Sequence, residues 1–197
     1  MSDFFKTVKG ISQGLYKEKM SKFISFAEPV QSADEAKAVI KKYQNQYHDA
    51  RHVCWAYMIG TDRSEYLSSD NGEPSGTAGK PILGQINSFG LTNIVIVVVR
   101  YFGGIKLGTS GLIVAYREAA AEAINAGEIL ECHEQTTITF TFAYLGMNDV
   151  MKVIKSEDLR IVSQDFDNCC TMTIQLDADK AEPLKKRLTD LGGVSIL

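Results

Sequence analysis

Six consecutive residues branched at the β-carbon, Ile94-Val95-Ile96-Val97-Val98-Val99, lie between two glycine-rich stretches. Such side chains are stiff at χ1 and favour extended backbone. The run therefore predicts a strand over 93–101. Its lack of polar alternation predicts burial on both faces. The first glycine stretch is Asp70-Asn71-Gly72-Glu73-Pro74-Ser75-Gly76-Thr77-Ala78-Gly79-Lys80-Pro81. The second is Arg100-Tyr101-Phe102-Gly103-Gly104-Ile105-Lys106-Leu107-Gly108-Thr109-Ser110-Gly111-Leu112. Each runs into a predicted helix. Glycine leaves backbone N–H groups unshielded and permits positive φ. A helix N-terminus adds unpaired donors and partial positive charge. Two such turns flanking one strand predict a joint surface for an anion or for backbone recognition.

The pattern on either side of this strand divides the chain in two. Strands are predicted over 7–16 and 19–30. Ser32 follows as an N-cap, with Glu35 completing a capping box. Ala36, Val39, Ile40 and Tyr43 then recur at helical spacing. Strands over 51–59 and 65–69 precede the first glycine stretch, and a helix over 78–88 follows it. After the second stretch, Thr109 or Ser110 is expected to cap a helix reaching 125, with Gly127 as its stop. A polar joint is expected at 131–134, and then the grammar restarts. A strand over 136–144, a helix over 147–156, a hairpin of 160–166 and 169–176 about Asp167-Asn168, a helix over 179–191 and a strand over 193–197 give βαββαβ, the ferredoxin-like order. The expected fold class is α+β in two domains, 1–132 and 133–197.

Charge bounds the partners. The net charge is −3 and the pI is about 5.7, which argues against a generally basic nucleic-acid binder, so no DNA partner is expected. The imbalance is local. Residues 1–132 hold 14 basic and 14 acidic side chains, whereas 133–197 hold 7 and 10. A polyanion site is therefore expected in the first part, as a patch. The N-terminal residues show no basic segment followed by an apolar one, and the apolar run at Ile94 is too short to span a bilayer. A cytoplasmic protein with no membrane partner is expected. Cys54, Cys132, Cys169 and Cys170 form no C-x-x-C pair, so neither a metal nor another cofactor is expected, and the thiols read as reduced.

The residues singled out for ligand binding are Arg51, His52, Asp70, Asn71, Glu73, Ser75, Thr77, Lys80, Arg100, Lys106, Thr109 and Ser110. Gly79-Lys80 resembles part of a P-loop, but Pro74 stands where that motif needs glycine and Pro81 where it needs Ser or Thr. Two readings of the glycines stay open: anion binding, or close packing of helix on sheet with polar side chains satisfying their own loops. Arg100 closes a buried strand and needs a partner, for which Asp70 and Glu73 are the candidates. Cys54 and His52 sit on one face of a strand. Cys54 is surrounded by apolar residues and reads as an inert core thiol, not a nucleophile. No catalytic residue is nominated.

Ala50-Arg51-His52 and the two glycine stretches, from Val97 through Leu112 in the second, resemble the signature of the Impact/YigZ family. The second domain is similar in pattern to the C-terminal domain of the bacterial YigZ-type members, which resembles a terminal domain of elongation factor G. Two positions depart from the pattern: Asn71 stands where the family usually has Asp, and Ser110 where it often has Gly. The resemblance implies a first domain with the fold of a small-subunit ribosomal protein domain, of elongation factor G domain IV and of certain small-molecule kinases. It also implies kinship with eukaryotic translational regulators, and it brings no enzymatic activity with it. The expected function is non-enzymatic binding of RNA, the ribosome or a translation factor through the glycine loops. The alternative is an enzyme or sensor for a small phosphorylated ligand at the same loops.

Overall fold

The computed structural model describes residues 4–167 and 169–197. The anticipated turn residue Asn168 and residues Met1, Ser2 and Asp3 lie outside the described residues. The chain divides into two compact units, Phe5–Cys132 and Phe4 with His133–Leu197.

In the larger unit the apolar run becomes strand β6 (Ile94–Tyr101), central in a five-stranded sheet. Around it stand β2 (Ser12–Glu18), β3 (Ser21–Pro29), β4 (His52–Ile59) and β5 (Glu65–Ser69), in the order β2-β3-β6-β4-β5. Every pairing in that sheet is antiparallel. Alternate β6 side chains serve two cores. Val95, Val97 and Val99 pack with Ala36, Ile40 and Tyr43 of α1 (Ala33–Gln46). Ile94, Ile96 and Val98 pack with Ile82 and Ile86 of α2 (Gly79–Ser88) and with Tyr116 and Ala119 of α3 (Gly108–Asn125). Burial on both faces thus arises in an antiparallel sheet that has helices on each side.

Ser32 caps α1, its Oγ accepting the Glu35 N–H at 3.2 Å, while Glu35 reaches back to the N–H of Gln31 at 2.7 Å. The other end of the unit departs from expectation. The single strand predicted over 7–16 is two, β1 (Phe4–Val8) and β2, interrupted at Lys9, Gly10 and Ile11. β1 pairs with β7 (Ile129–His133), so the expected polar joint is largely strand. Lys6 meets Glu131 across the two strands at 3.0 Å, and just beyond their ends Lys9 meets Glu128 at 2.8 Å.

The smaller unit follows the βαββαβ order. Strands β8 (Gln135–Phe142), β9 (Arg160–Phe166), β10 (Cys170–Asp177) and β11 (Val194–Ile196) form one sheet, ordered β11-β8-β10-β9. Helices α4 (Met147–Ser156) and α5 (Ala181–Asp190) supply Val150, Val153, Ile154, Leu184 and Leu188 to a core with Ile138, Phe140, Met172 and Ile174. The buried side chains of β10 alternate strictly, as expected of a sheet covered on one face. No helix among the described residues is long and apolar enough to cross a membrane.

One glycine governs how closely α3 approaches the sheet. A Cβ on Gly14 of β2 would lie 2.5 Å from the backbone nitrogen of Ala123 in α3. Because the obstacle is backbone, Gly14→Ala is expected to cost about 1–3 kcal/mol through overpacking. Chemical denaturation checks this, and an unchanged midpoint would contradict the close-packing account.

Candidate functional site

Sheet register builds the floor of the site. Arg100, next to last in β6, stands directly opposite His52 of β4 and Phe23 of β3. Opposite residues in a ladder share a face, so both point to the α3 side. Arg100 is buried at 7% exposure. Its Nη1 donates to Glu73 Oε1 at 2.6 Å, and the same oxygen accepts the Tyr116 hydroxyl at 2.8 Å. Glu73, from the first glycine loop, is therefore the partner Arg100 needed. Its other oxygen lies 4.0 Å from His52 Nε2. His52 Nδ1 is 2.9 Å from the Asn71 carbonyl oxygen, which can only accept, so Nδ1 holds a proton and Nε2 faces the carboxylate.

Asp70 does something else. Its carboxylate accepts the N–H groups of Gly76 (2.7 Å), Ala78 (3.0 Å) and Gly79 (2.8 Å). Burial pushes its pKa upward, but these three backbone donors and the nearby Lys80 charge outweigh that effect and hold it below the ordinary value. The N-terminus of α2 is thus already occupied by an anion from its own chain. Asn71, with φ +43°, accepts the Val53 N–H on Oδ1 at 2.9 Å. The Thr77 hydroxyl folds back onto the Pro74 carbonyl at 2.7 Å. In the first loop, then, polar side chains largely satisfy the loop itself.

The second loop is different. Leu107 stands at the N-cap of α3 and provides no side-chain cap. Thr109 and Ser110, expected as caps, sit instead in the first helical turn. Gly108 takes φ +72°, which turns the chain into the helix, and a Cβ on Gly111 would meet only Leu107 of its own turn at 3.1 Å. Close packing on the sheet therefore does not account for this glycine.

Between the loops lies a cleft of about 390 Å³. Arg51, His52, Glu73, Arg100, Lys106 and Thr109 contribute its polar lining, and Pro74, Phe102, Leu107 and Leu112 its apolar lining. The Arg100 guanidinium lies between two rings, its Cζ 5.6 Å from the Phe23 centroid and 5.7 Å from that of Phe102. Six of the twelve residues singled out from sequence thus converge on the cleft. Asp70, Asn71, Ser75, Thr77, Lys80 and Ser110 do not line it.

Sequence reasoning missed Tyr116. It is fully buried, it contacts Phe23 edge-on at 5.2 Å, and it completes the Glu73 network. The available signal was one hydroxyl-bearing ring in an alanine-rich helix. Burial, with Cys54 and Glu73 beside it, raises the Tyr116 phenol above its ordinary pKa, so it stays a donor. Burial likewise pushes the Cys54 thiol up to about 12, against the opposing effect of its hydrogen bond with Tyr116. Cys54 Sγ lies 2.9 Å from the Asp70 carbonyl and 3.3 Å from the Tyr116 oxygen. A thiol so protonated is not an activated nucleophile.

Residues 19–124, more than half of the chain and all of the cleft, match the Impact N-terminal domain. The chain belongs to the IMPACT family. It is 33% identical to the IMPACT family member YigZ of Escherichia coli over 180 residues, covering 90% of this chain and 88% of YigZ. Against the IMPACT family member YvyE of Bacillus subtilis identity is 40% over 125 residues, covering 64% of this chain and 58% of YvyE. A solved structure described as that of a hypothetical protein superposes with a TM-score of 0.75 at 29% identity, covering 100% of this chain and 98% of the other. The similarity to the IMPACT member of E. coli and to this structure therefore includes the C-terminal unit.

Two outcomes follow for the site. A carboxylate whose pKa is depressed on folding stabilises the fold above its unfolded value of about 3.9, and that contribution is lost as pH falls through the lower folded value. Wild type is therefore expected to lose stability on acidification below about pH 4, and Asp70→Asn to show a flatter acid limb. Thermal melts across pH 2–6 check it, and superimposable limbs would contradict it. Cys54→Ser is expected to leave ligand binding within experimental error of wild type while lowering the melting temperature. Abolished binding in a folded variant would revive thiol chemistry.

Proposed function

We propose that the protein is a non-enzymatic binding protein of the cytoplasm that engages RNA of the translation apparatus through this cleft. The observation that carries the reading is the uncovered positive rim. Arg51, Lys106 and the α3 N-terminus face a cleft whose one carboxylate, Glu73, is already paired with Arg100. Net charge opposes binding of a polyanion, so attraction has to be local, and here it is. The ring of Phe102 is 53% exposed at the rim, suited to stacking a base, as single-strand binders do. Membership of the IMPACT family, with the translational role its resemblance implies, supports placing that RNA in translation. The concavity of the cleft favours a second reading, a small phosphorylated ligand bound at the same place.

Lys106 tests the rim, because it is exposed and forms no ion pair among the described residues. Lys106→Ala is expected to fold normally, to bind single-stranded RNA more weakly, and to lower the slope of log affinity against log salt by about one unit or slightly less. Titrations of both proteins across a salt series check this. Identical affinities and slopes would shift the reading to a protein partner, with the loops serving as architecture.

A further inference from the structure

Arg100 has one side of its guanidinium occupied and another unpartnered. Nη1 is fixed on Glu73. Nε is buried and has no hydrogen-bond partner among the described residues, in a side chain only 8% exposed. Buried donors in native proteins are nearly always satisfied, and an orphan calls for an acceptor from elsewhere. The Nε–Nη2 edge is the fork with which arginine grips two oxygens of a phosphate or carboxylate. Arg100 lines the cleft together with Arg51, Lys106 and Thr109, and α3 begins there without a side-chain cap. The orphaned donor and the uncapped helix are independent observations that point to one anion.

Depth and charge narrow the class of that anion. Arg100 lies at the floor, so the group reaching it must protrude from its carrier. An internal phosphodiester is flanked on both sides by its own chain, whereas a terminal phosphate protrudes. The Arg100 and Glu73 charges cancel, which leaves Arg51 and Lys106. A phosphomonoester, with about two negative charges near neutrality, matches that pair, and a diester with a single charge does not. We propose that the cleft recognises a terminal phosphate, at the end of an RNA strand or on a free nucleotide, and that Arg100 is its bidentate reader. This rests on the reading of the cleft as an anion site and names the chemistry it selects.

The full chain is to be titrated with four probes: a short single-stranded RNA bearing a 5′-phosphate, the same RNA with a 5′-hydroxyl, adenosine 5′-monophosphate and adenosine. The 5′-phosphorylated RNA is expected to bind about tenfold or more tighter than its hydroxyl counterpart, as loss of a charge-assisted pair of hydrogen bonds implies. Adenosine monophosphate should be preferred over adenosine in the same sense. Arg100→Lys keeps the charge but lacks the fork, and should erase the preference. Should that variant fail to fold, Thr109→Ala at the rim should shrink the preference in a folded protein, and an unaltered preference there would count against the proposal. Equal binding of the two RNAs would overturn the terminal-phosphate proposal and leave RNA binding standing. A preference for adenosine monophosphate with no RNA binding would uphold the proposal and overturn the RNA reading. Binding of no probe would overturn both.

Discussion

The ion pair between Glu73 and Arg100 holds this molecule's loops to its sheet. Both side chains are withdrawn from water, and a buried pair is tolerable only when geometry is good and the remaining lone pairs are served. Tyr116 serves one, and His52 lies beside the other oxygen. Removing either charge would leave the other stranded, at a cost of about 3–5 kcal/mol. The pair therefore does more than neutralise charge. It fixes the first glycine loop, the end of the central strand and the middle of α3 relative to one another, so the walls of the cleft hold a set spacing.

The two glycine stretches look alike as sequence and behave oppositely as structure. In the first, Asp70 brings its own negative charge to three backbone donors, and the site an external anion would use is filled from within. In the second, no side chain plays that part at Leu107. One loop is a closed device that shapes a wall, and the other leaves its donors at the cleft. Helix N-termini attract anions in general, but which terminus is vacant is a matter of side-chain supply, and of the two helices that follow these loops α3 lacks a side-chain acceptor of its own.

What could be read from the chain followed from local rules. The β-branched run at Ile94 and the Ser32–Glu35 box announced β6 and α1 because backbone sterics and capping act within a few residues. The restart after the first unit announced the βαββαβ order for the same reason. The site was legible where burial forces a choice: a cation ending an apolar strand needs a carboxylate, and Glu73 was one of two nominees. Choosing between Asp70 and Glu73 required knowing where Gly76, Ala78 and Gly79 point their N–H groups, which depends on loop geometry. Tyr116 left only a faint mark because its hydroxyl acts through Glu73 and Cys54, 43 and 62 positions away. The β1–β7 ribbon was missed similarly, since pairing over such a separation leaves no periodic mark on either segment. Lys6 and Lys9 meet Glu131 and Glu128 only once these distant segments are brought together.

The ladder position of Arg100 opposite His52 has a consequence for folding. The groups that make the cleft floor come from β4, the first glycine loop, β6 and α3, and none can be placed by a local turn alone. Contacts between distant segments form only after loop-closure entropy has been overcome, and they set the pace of folding in sheet proteins. The cleft therefore comes into being together with the whole first unit, not before it. A partly folded chain has no floor to offer a ligand, so whatever binds there selects finished molecules and, by mass action, protects the entire unit against unfolding instead of merely stiffening two loops.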